Sequence, residues 1–307
     1  NNPHEKIYSI QIVGTNGKGS VSALLSNILA QGGYKVGLFS SPHLVKLNER
    51  IRINNQLIQD DIIKKFVKQY QNDIQKIEPS FFELLTVISV WYFNKTEVDY
   101  CILETGLGGK FDSVTACENQ GLIYTPISMD HHSLLGNTLS LIATNKAKAI
   151  NQNTQFIFSS AQPLIAKNIL IKEAKKQNLT IRFKKKISDN ISLKNLYGIH
   201  QIQNADLSKN VINYLNKEEI INIDIKDINK GIENTVWPGR FQIINKNPLI
   251  IFDVAHNQSS LECFIKSFNT YINKKNINKK YLLCAFERNK KIKSTLKKYE
   301  KEFHQII

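Results

Sequence analysis

Cysteine is scarce and unorganised in this chain: four in 307 residues, Cys101, Cys117, Cys263 and Cys284, with no CxxC pair and no metal-finger spacing. A zinc-finger framework is therefore excluded, and cysteines lying in or beside apolar segments read as reduced packing residues. Long apolar runs are missing as well. The longest candidate, residues 81–93, carries Glu83 and falls short of the roughly 18 residues needed to cross a bilayer. The opening NNPHEKIYS lacks a basic stretch leading into an apolar core and a small-residue cleavage site, so nothing there directs secretion and a cytoplasmic protein is expected. No Ser–His–Asp or Cys–His arrangement stands out for nucleophilic catalysis, and no internal repeat is visible. Acidic side chains are outnumbered, 26 Asp and Glu against 41 Lys and Arg, for a formal charge of +15. Such an excess suits nucleic acid, an anionic surface or small acidic ligands. The lysines come with an excess of Ile and Asn spread along the whole chain, and no platform interleaves basic and aromatic residues. Compositional drift explains the charge as well as small acidic ligands do, and no nucleic-acid partner is expected.

At 307 residues the chain exceeds a comfortable single core, since cores stop growing efficiently at about 250 to 300 residues, and two unequal domains are expected. Hydrophobic content of 42% with 22% charged residues is that of a soluble globular protein. Ile10 and Ile12 alternate with polar neighbours, GTNGKGS follows, and Val21, Leu24, Leu25, Ile28 and Leu29 recur at helical spacing up to Gly32 and Gly33. This is a strand, a turn and a helix. Residues 35–40 (KVGLFS) make a second strand, followed by a long loop, SSPHLVKLNERIRIN. Helices over 60–77 and 81–93, a short buried strand at 100–104, strands at 121–128 and 154–159, and helices over 139–150, 163–177 and 204–215 continue the alternation. Such alternation implies a parallel sheet covered on both faces. WPGRF, residues 237–241, breaks the periodicity before a new strand at 249–252 and places a domain boundary near Trp237. The remainder again reads strand, helix, strand, helix, with the Lys-rich stretch 274–280 as a solvated turn.

A glycine-rich turn between a strand and a helix is suited to phosphate, because its backbone N–H groups and the helix N-terminus both favour an anion. Lys18 would add a point charge there. The general pattern GxxxxGK[ST] fails, however: Ile12 stands where the first Gly is needed, and Gly19 separates Lys18 from Ser20. An ordinary GTPase or kinase is thereby disfavoured. Glu104 ends a buried strand, where the ligands of an open parallel sheet gather, and a carboxylate beside ATP there would coordinate Mg²⁺.

GTNGKGS is the phosphate-loop variant that resembles the Mur ligase superfamily. Further segments fall in the order seen in its folylpolyglutamate and dihydrofolate synthases: SSPHLVKLNERIRI (40–53), SFFELLT (80–86), ETGLGGKFD (104–112), DHHSLLG (130–136), GIHQIQNA (198–205), WPGR (237–240) and DVAHN (253–257). The resemblance covers nearly the whole chain. It implies an α/β fold, with a mostly parallel P-loop ATPase-like central domain over 1–236 and a smaller Rossmann-like α/β C-terminal domain over 237–307, incomplete relative to the family and without its N-terminal helical lead. It also implies that Gly14, Thr15, Asn16, Gly17, Lys18, Gly19 and Ser20 hold ATP, that Ser41, Glu104 and His131 hold two magnesium ions, and that Arg240, Asp253 and His256 contact the nucleotide with Asn204 at a hinge. Lys146 matches a lysine that the family carbamylates to make a second-magnesium ligand. Three departures stand against this pattern: NKAKA replaces EKAGI around Lys146, so that Lys148 brings an added ammonium towards the metal site; Val254 replaces a glycine in DVAHNQ; and Gln258 replaces a proline.

The implied reaction is phosphoryl transfer followed by acyl transfer, joining L-glutamate to dihydropteroate or to a folate in a monomeric enzyme, with Lys18, His131 and Lys146 as its catalytic groups and no covalent enzyme nucleophile. The departures and the short second domain also fit a catalytically weakened nucleotide-binding remnant. A cell-wall Mur ligase acting on a UDP-linked peptide is disfavoured by SPHL, NERI and GLGG together.

Overall fold

The computed structural model describes residues 2–184, 191–273, 277, 279–287 and 292–307. Of the Lys-rich stretch expected as a solvated turn, residues 274–276 and 278 lie outside the described residues. The elements run β1 (Tyr8–Val13), α1 (Lys18–Gln31), β2 (Val36–Phe39), β3 (Ile51–Ile53), β4 (Gln56–Leu57), α2 (Asp60–Gln69), α3 (Gln71–Ile77), α4 (Phe81–Lys95), β5 (Tyr100–Glu104), β6 (Gly121–Tyr124), α5 (His132–Leu135), α6 (Leu139–Ala147), β7 (Phe156–Ser159), α7 (Leu164–Lys176), β8 (Ile181–Phe183), α8 (Ile199–Lys217), α9 (Ile225–Asn234), β9 (Gln242–Lys246), β10 (Leu249–Phe252), α10 (Gln258–Ile272), β11 (Tyr281–Leu282), α11 (Lys293–Tyr299) and β12 (Gln305–Ile306).

Eight strands form one sheet in the order β4-β3-β2-β5-β1-β6-β7-β8, parallel from β2 to β8. Alternating side chains send Ile10, Ile12, Ile102 and Ile123 into a core with α1, α8 and α9, while Leu103, Leu122 and Tyr124 face cores built with α4 and with α6 and α7. The sheet is covered on both faces, as the alternation predicts. In the register, Ile12 lies opposite both Glu104 and Ile123. The loops that leave β1, β5 and β6 therefore open at the same edge, the place where such sheets bind ligands.

Several elements differ from the sequence expectation. The expected helix 60–77 is two, because Tyr70 leaves helical geometry (φ −111°, ψ 21°) with its ring 4.7 Å from that of Phe66. The loop 40–54 ends in an antiparallel hairpin, β3–β4, turned by Asn54 and Asn55 at φ 45° and 67°. Asn tolerates that left-handed geometry, and two such residues form the tight turn that suits twisted strands. β8 and α9 add a strand and a helix where the sequence periodicity indicates none. After the sheet ends, β9 and β10 pair antiparallel where strand–helix alternation suggests parallel strands, whereas β11 and β12 pair parallel. A separate core gathers Leu261, Ile265, Leu282, Ile292, Tyr299 and Phe303. Cys101 and Cys117 are buried and all four cysteines are unbridged. No helix among the described residues is long and apolar enough to cross a membrane.

Candidate functional site

The glycine turn is built by close approach. A Cβ on Gly14 would lie 1.9 Å from Thr125 Oγ1, and Gly17, at φ +87°, would place one 3.0 Å from Asn204 Oδ1. Neither position tolerates a side chain. The backbone N–H groups of Thr15 and Asn16 donate to the Pro126 carbonyl at 2.9 and 3.3 Å, and the Thr15 hydroxyl donates to the Ser128 carbonyl at 3.1 Å while accepting from the Ser128 N–H at 3.0 Å. Gly17 caps α1 without a side chain, so the helix N-terminus stays open to an anion. Lys18 folds back, with Nζ 3.3 Å from the carbonyls of Gly14 and Thr15. Burial lowers its pKa, and the Glu104 charge opposes that shift.

Glu104, 3% exposed, ends β5 and accepts through Oε2 from the Ser41 N–H at 3.2 Å. Burial raises its pKa against the opposing charges of Lys18, Arg240 and Arg50 and the Ser41 hydrogen bond. A Cβ on Gly19 would stand 3.6 Å from Glu104 Oε2, so this carboxylate lies across the first turn of α1. Ser20 Oγ, on that same turn, is buried without a hydrogen-bond partner. Lys18, Ser20, Ser41 and Glu104 thus line one cleft, where the family resemblance also puts them. His131, at φ +50°, lines the same cleft; its N–H donates to Asp130 Oδ1 at 2.8 Å and its ring Nε2 lies 3.9 Å from Asp130 Oδ2.

Lys146 reaches the turn from α6. It is 4% exposed, and its Nζ donates to the Gly14 carbonyl at 2.7 Å. Burial, with the Lys18 charge adding to it, brings its pKa down to about 7. Lys148 corrects the expectation of an ammonium opposing a metal, for its Nζ turns away to pair with Glu173 on α7 at 2.8 Å. Asn145, which stands where the family has an acid, accepts from the Gly109 N–H at 3.1 Å and pins the GLGG turn.

From the far side, Arg240 projects into the cleft with its Nε buried and without a hydrogen-bond partner. Both Asp253 oxygens are engaged by backbone, accepting from Phe241 N and Ala255 N at 2.8 Å each; burial raises its pKa. The Val254 N–H donates to the Gly239 carbonyl at 2.9 Å, so the side chain that replaces a glycine packs on the WPGR turn. His256 Nδ1 lies 3.1 Å from the Val254 carbonyl and Nε2 lies 3.5 Å from Asp130 Oδ2. Asn204 is buried over Gly17 and donates to Gln201 Oε1 at 3.1 Å.

Five further groups escaped the sequence reading. Asp112 anchors the turn after β5, accepting from Leu107 N at 2.8 Å and Val114 N at 3.0 Å. Asp130 and Asn257 join the turn to α10. Arg52 stacks over the Trp237 ring at 4.8 Å. His200 lines the cleft with its pKa lowered to about 4, by burial and then by the Arg240 charge. All five fall inside the quoted segments, Arg52 in NERIRI, where a polar residue's place in a motif is the available signal.

The whole forms a cleft of about 1220 Å³ between the sheet edge and the segments after residue 237. An anion-binding turn, a lysine and an arginine face hard oxygen donors, an arrangement suited to a phosphorylated ligand. Magnesium fits this set: Glu104, the Ser41 hydroxyl and the unpartnered Ser20 hydroxyl are hard donors, and Mg²⁺ keeps waters and phosphate oxygens rather than demanding a full protein cage. That agrees with the described residues offering no cluster of three or more His, Cys, Asp or Glu for an ion.

No protein-family model matches the chain. Among curated proteins it is 32% identical over 290 residues to the dihydrofolate synthase/folylpolyglutamate synthase of Bacillus subtilis, covering 85% of this chain and 67% of that protein. Among solved structures, an FPGS–AMPPCP–folate complex superposes with a TM-score of 0.88 at 24% identity, covering 99% of this chain and 80% of that one. Folylpolyglutamate synthase from Thermotoga maritima superposes with a TM-score of 0.83 at 28% identity, covering 99% and 76%.

Proposed function

Because the chain belongs to the dihydrofolate synthase/folylpolyglutamate synthase family of ATP-dependent ligases, we propose that it binds ATP in this cleft and joins L-glutamate to dihydropteroate, to folate polyglutamate, or to both. The observation that carries this reading is the placement of the open α1 N-terminus and Lys18 directly across from the buried Glu104. A phosphate chain on the turn would meet Lys18 Nζ, which exchanges two carbonyls at 3.3 Å for charge-assisted contacts. Magnesium, when bound, supplies charge neutralisation of the phosphates. Glu104, Ser41 and Ser20 are the groups that would hold it, and His131 lines the same space.

A carboxylate is a poor electrophile, so the substrate carboxylate oxygen attacks the γ-phosphorus and ADP departs. The amino group of glutamate then attacks the acyl carbon of the resulting acyl phosphate, phosphate leaves, and the amine proton passes to solvent or to a cleft base. The chain's own task is positioning and neutralisation. Arg240, with an unpartnered buried Nε, serves the developing phosphate charge. Asp253 shapes the WPGRF turn that presents Arg240, and His256 closes the cleft against Asp130. Asn204, seated on Gly17, holds the turn's left-handed cap. Lys146, with a pKa of about 7, offers a neutral amine that can add CO₂, and the carbamate supplies a further oxygen donor. The division at residue 237, a monomeric state and a cytoplasmic location complete the reading. Of the grounds for a remnant, which also include Val254, Gln258 and the short second domain, Lys148 is the one whose side chain turns away, towards Glu173.

Mass spectrometry of a reaction holding ATP, magnesium, L-glutamate and either 7,8-dihydropteroate or a folate tests it. A product one glutamyl unit heavier, formed only with ATP, is expected. No such product from either acceptor overturns the reading.

A further inference from the structure

We infer that Asn257 is a positioning residue for the nucleotide, holding the phosphate turn through Asn16; the inference rests on the ligase reading above. Asn257 is 4% exposed, and its Nδ2 donates to Asn16 Oδ1 and to Asp130 Oδ2, both at 2.9 Å. Its Oδ1 accepts from the Ser260 N–H at 2.9 Å and from Asn16 Nδ2 at 3.4 Å. The orientation of the amide is settled by its neighbours. A backbone N–H can meet only the oxygen, and a carboxylate only the nitrogen. One side chain thereby joins the loop after β1, the loop after β6 and the first turn of α10, segments 241 and 127 residues away in sequence.

Asn16 lies one residue before Gly17, in the middle of the turn. Its backbone N–H is drawn towards the Pro126 carbonyl at 3.3 Å, and its side chain towards Asn257 from the opposite segment. Cutting the second tie frees the turn to sample geometries that point its remaining N–H groups away from a phosphate. The cost appears in binding, since a preformed cradle spends less of its interaction energy on ordering. The tie to Asn16 is part-buried and joins two amides, while its companion from the same Nδ2 to Asp130 is buried and ends on a carboxylate, which holds the Asn257 amide in place.

Asn257→Ser separates this role from helix capping, because serine retains an oxygen for the Ser260 N–H but offers no pair of N–H donors. Calorimetry of the non-hydrolysable analogue AMPPCP with magnesium should show about tenfold weaker binding in Asn257→Ser, in line with loss of a hydrogen bond to a charged group. The KM for ATP should rise alike while kcat changes by less than about twofold. Asn16→Ala should weaken binding, and Asn16→Ala/Asn257→Ser should lose less than the product of the two single losses, because both cut the Asn16–Asn257 tie while each also cuts a bond of its own, to Ser128 and to Asp130. If Asn257→Ser does not fold, Asn257→Thr keeps the cap oxygen without adding charge beside Asp130 and reads the same loss. Unchanged AMPPCP affinity in the folded variant, or losses that multiply in the double variant, overturns the inference alone. Wild-type protein that binds no AMPPCP overturns the ligase reading and this inference with it.

Discussion

Lys146 and Glu104 are two of the residues at which burial works against charge, and each is kept at some expense to the fold. With its pKa at about 7 against an ordinary 10.5, Lys146 is neutral in the folded protein at pH values where the unfolded chain still binds its proton. Below about pH 7 both states carry the ammonium and the burial cost is fully present; between 7 and 10.5 the unfolded state binds more protons, so stability rises with pH through that window. Replacing Lys146 with Met should flatten the slope, leaving the part that Lys18 contributes, and stabilise the unliganded fold by about 1–4 kcal/mol, while turnover is lost. Thermal melts between pH 6 and 10 check this, and a Met variant with the wild-type slope would contradict it. The same amine must be neutral to add CO₂, so the ligation rate should climb as pH rises through 7 and respond to added bicarbonate; a flat response would remove the carbamate. Lys18→Ala and Glu104→Gln should each reduce ATP-dependent ligation by about 100-fold or more with melting temperatures at or above wild type. Near-wild-type rates in either variant would take that residue out of the site.

Elements show where sequence reasoning reaches and where it stops. Two substitutions of unequal effect make the point. Gly17→Ala forces a left-handed φ of +87° and a contact of 3.0 Å with Asn204, and should destabilise by about 1–2 kcal/mol and weaken nucleotide binding, as denaturant melts and AMPPCP titration would show. Lys148→Ala removes a half-exposed pair with Glu173 and should cost no more than about 1 kcal/mol with the ligation rate unchanged; a large rate change would return Lys148 to the site. The glycine was legible, because strand, turn and helix follow directly from periodicity and one motif. The direction of Lys148 was not, because two residues along a helix rotate a side chain to another face and the sequence does not say which face meets the cleft. β1, β5 and α4 were readable from long or strongly apolar patterns, whereas β8, three residues long, and β9, with a largely exposed strand, bury too little to leave a pattern. The break at Tyr70 was hidden by apolar spacing that continues through it.

At the scale of the molecule, the cleft exists because the parallel register brings the ends of β1, β5 and β6 level and the segments after residue 237 return across them. Motif order disclosed the first fact and half of the second. Arg240, Asp253 and His256 could be placed at the nucleotide only by resemblance, and the buried ties made by Asp130 and Asn257 needed coordinates, since three loops must meet before either has a partner. The match to this chain spans 67% of the B. subtilis relative, so about a third of that relative lies outside it. Everything in this account depends on the turn at Lys18 gripping a triphosphate opposite Glu104, and a crystal structure of the protein with AMPPCP and magnesium tests that most directly. It should show the β- and γ-phosphates over the N-terminus of α1, Lys18 Nζ swung from the Gly14 carbonyl onto them, and the metal on Glu104; nucleotide bound elsewhere, with the turn empty and Glu104 facing away, would contradict it.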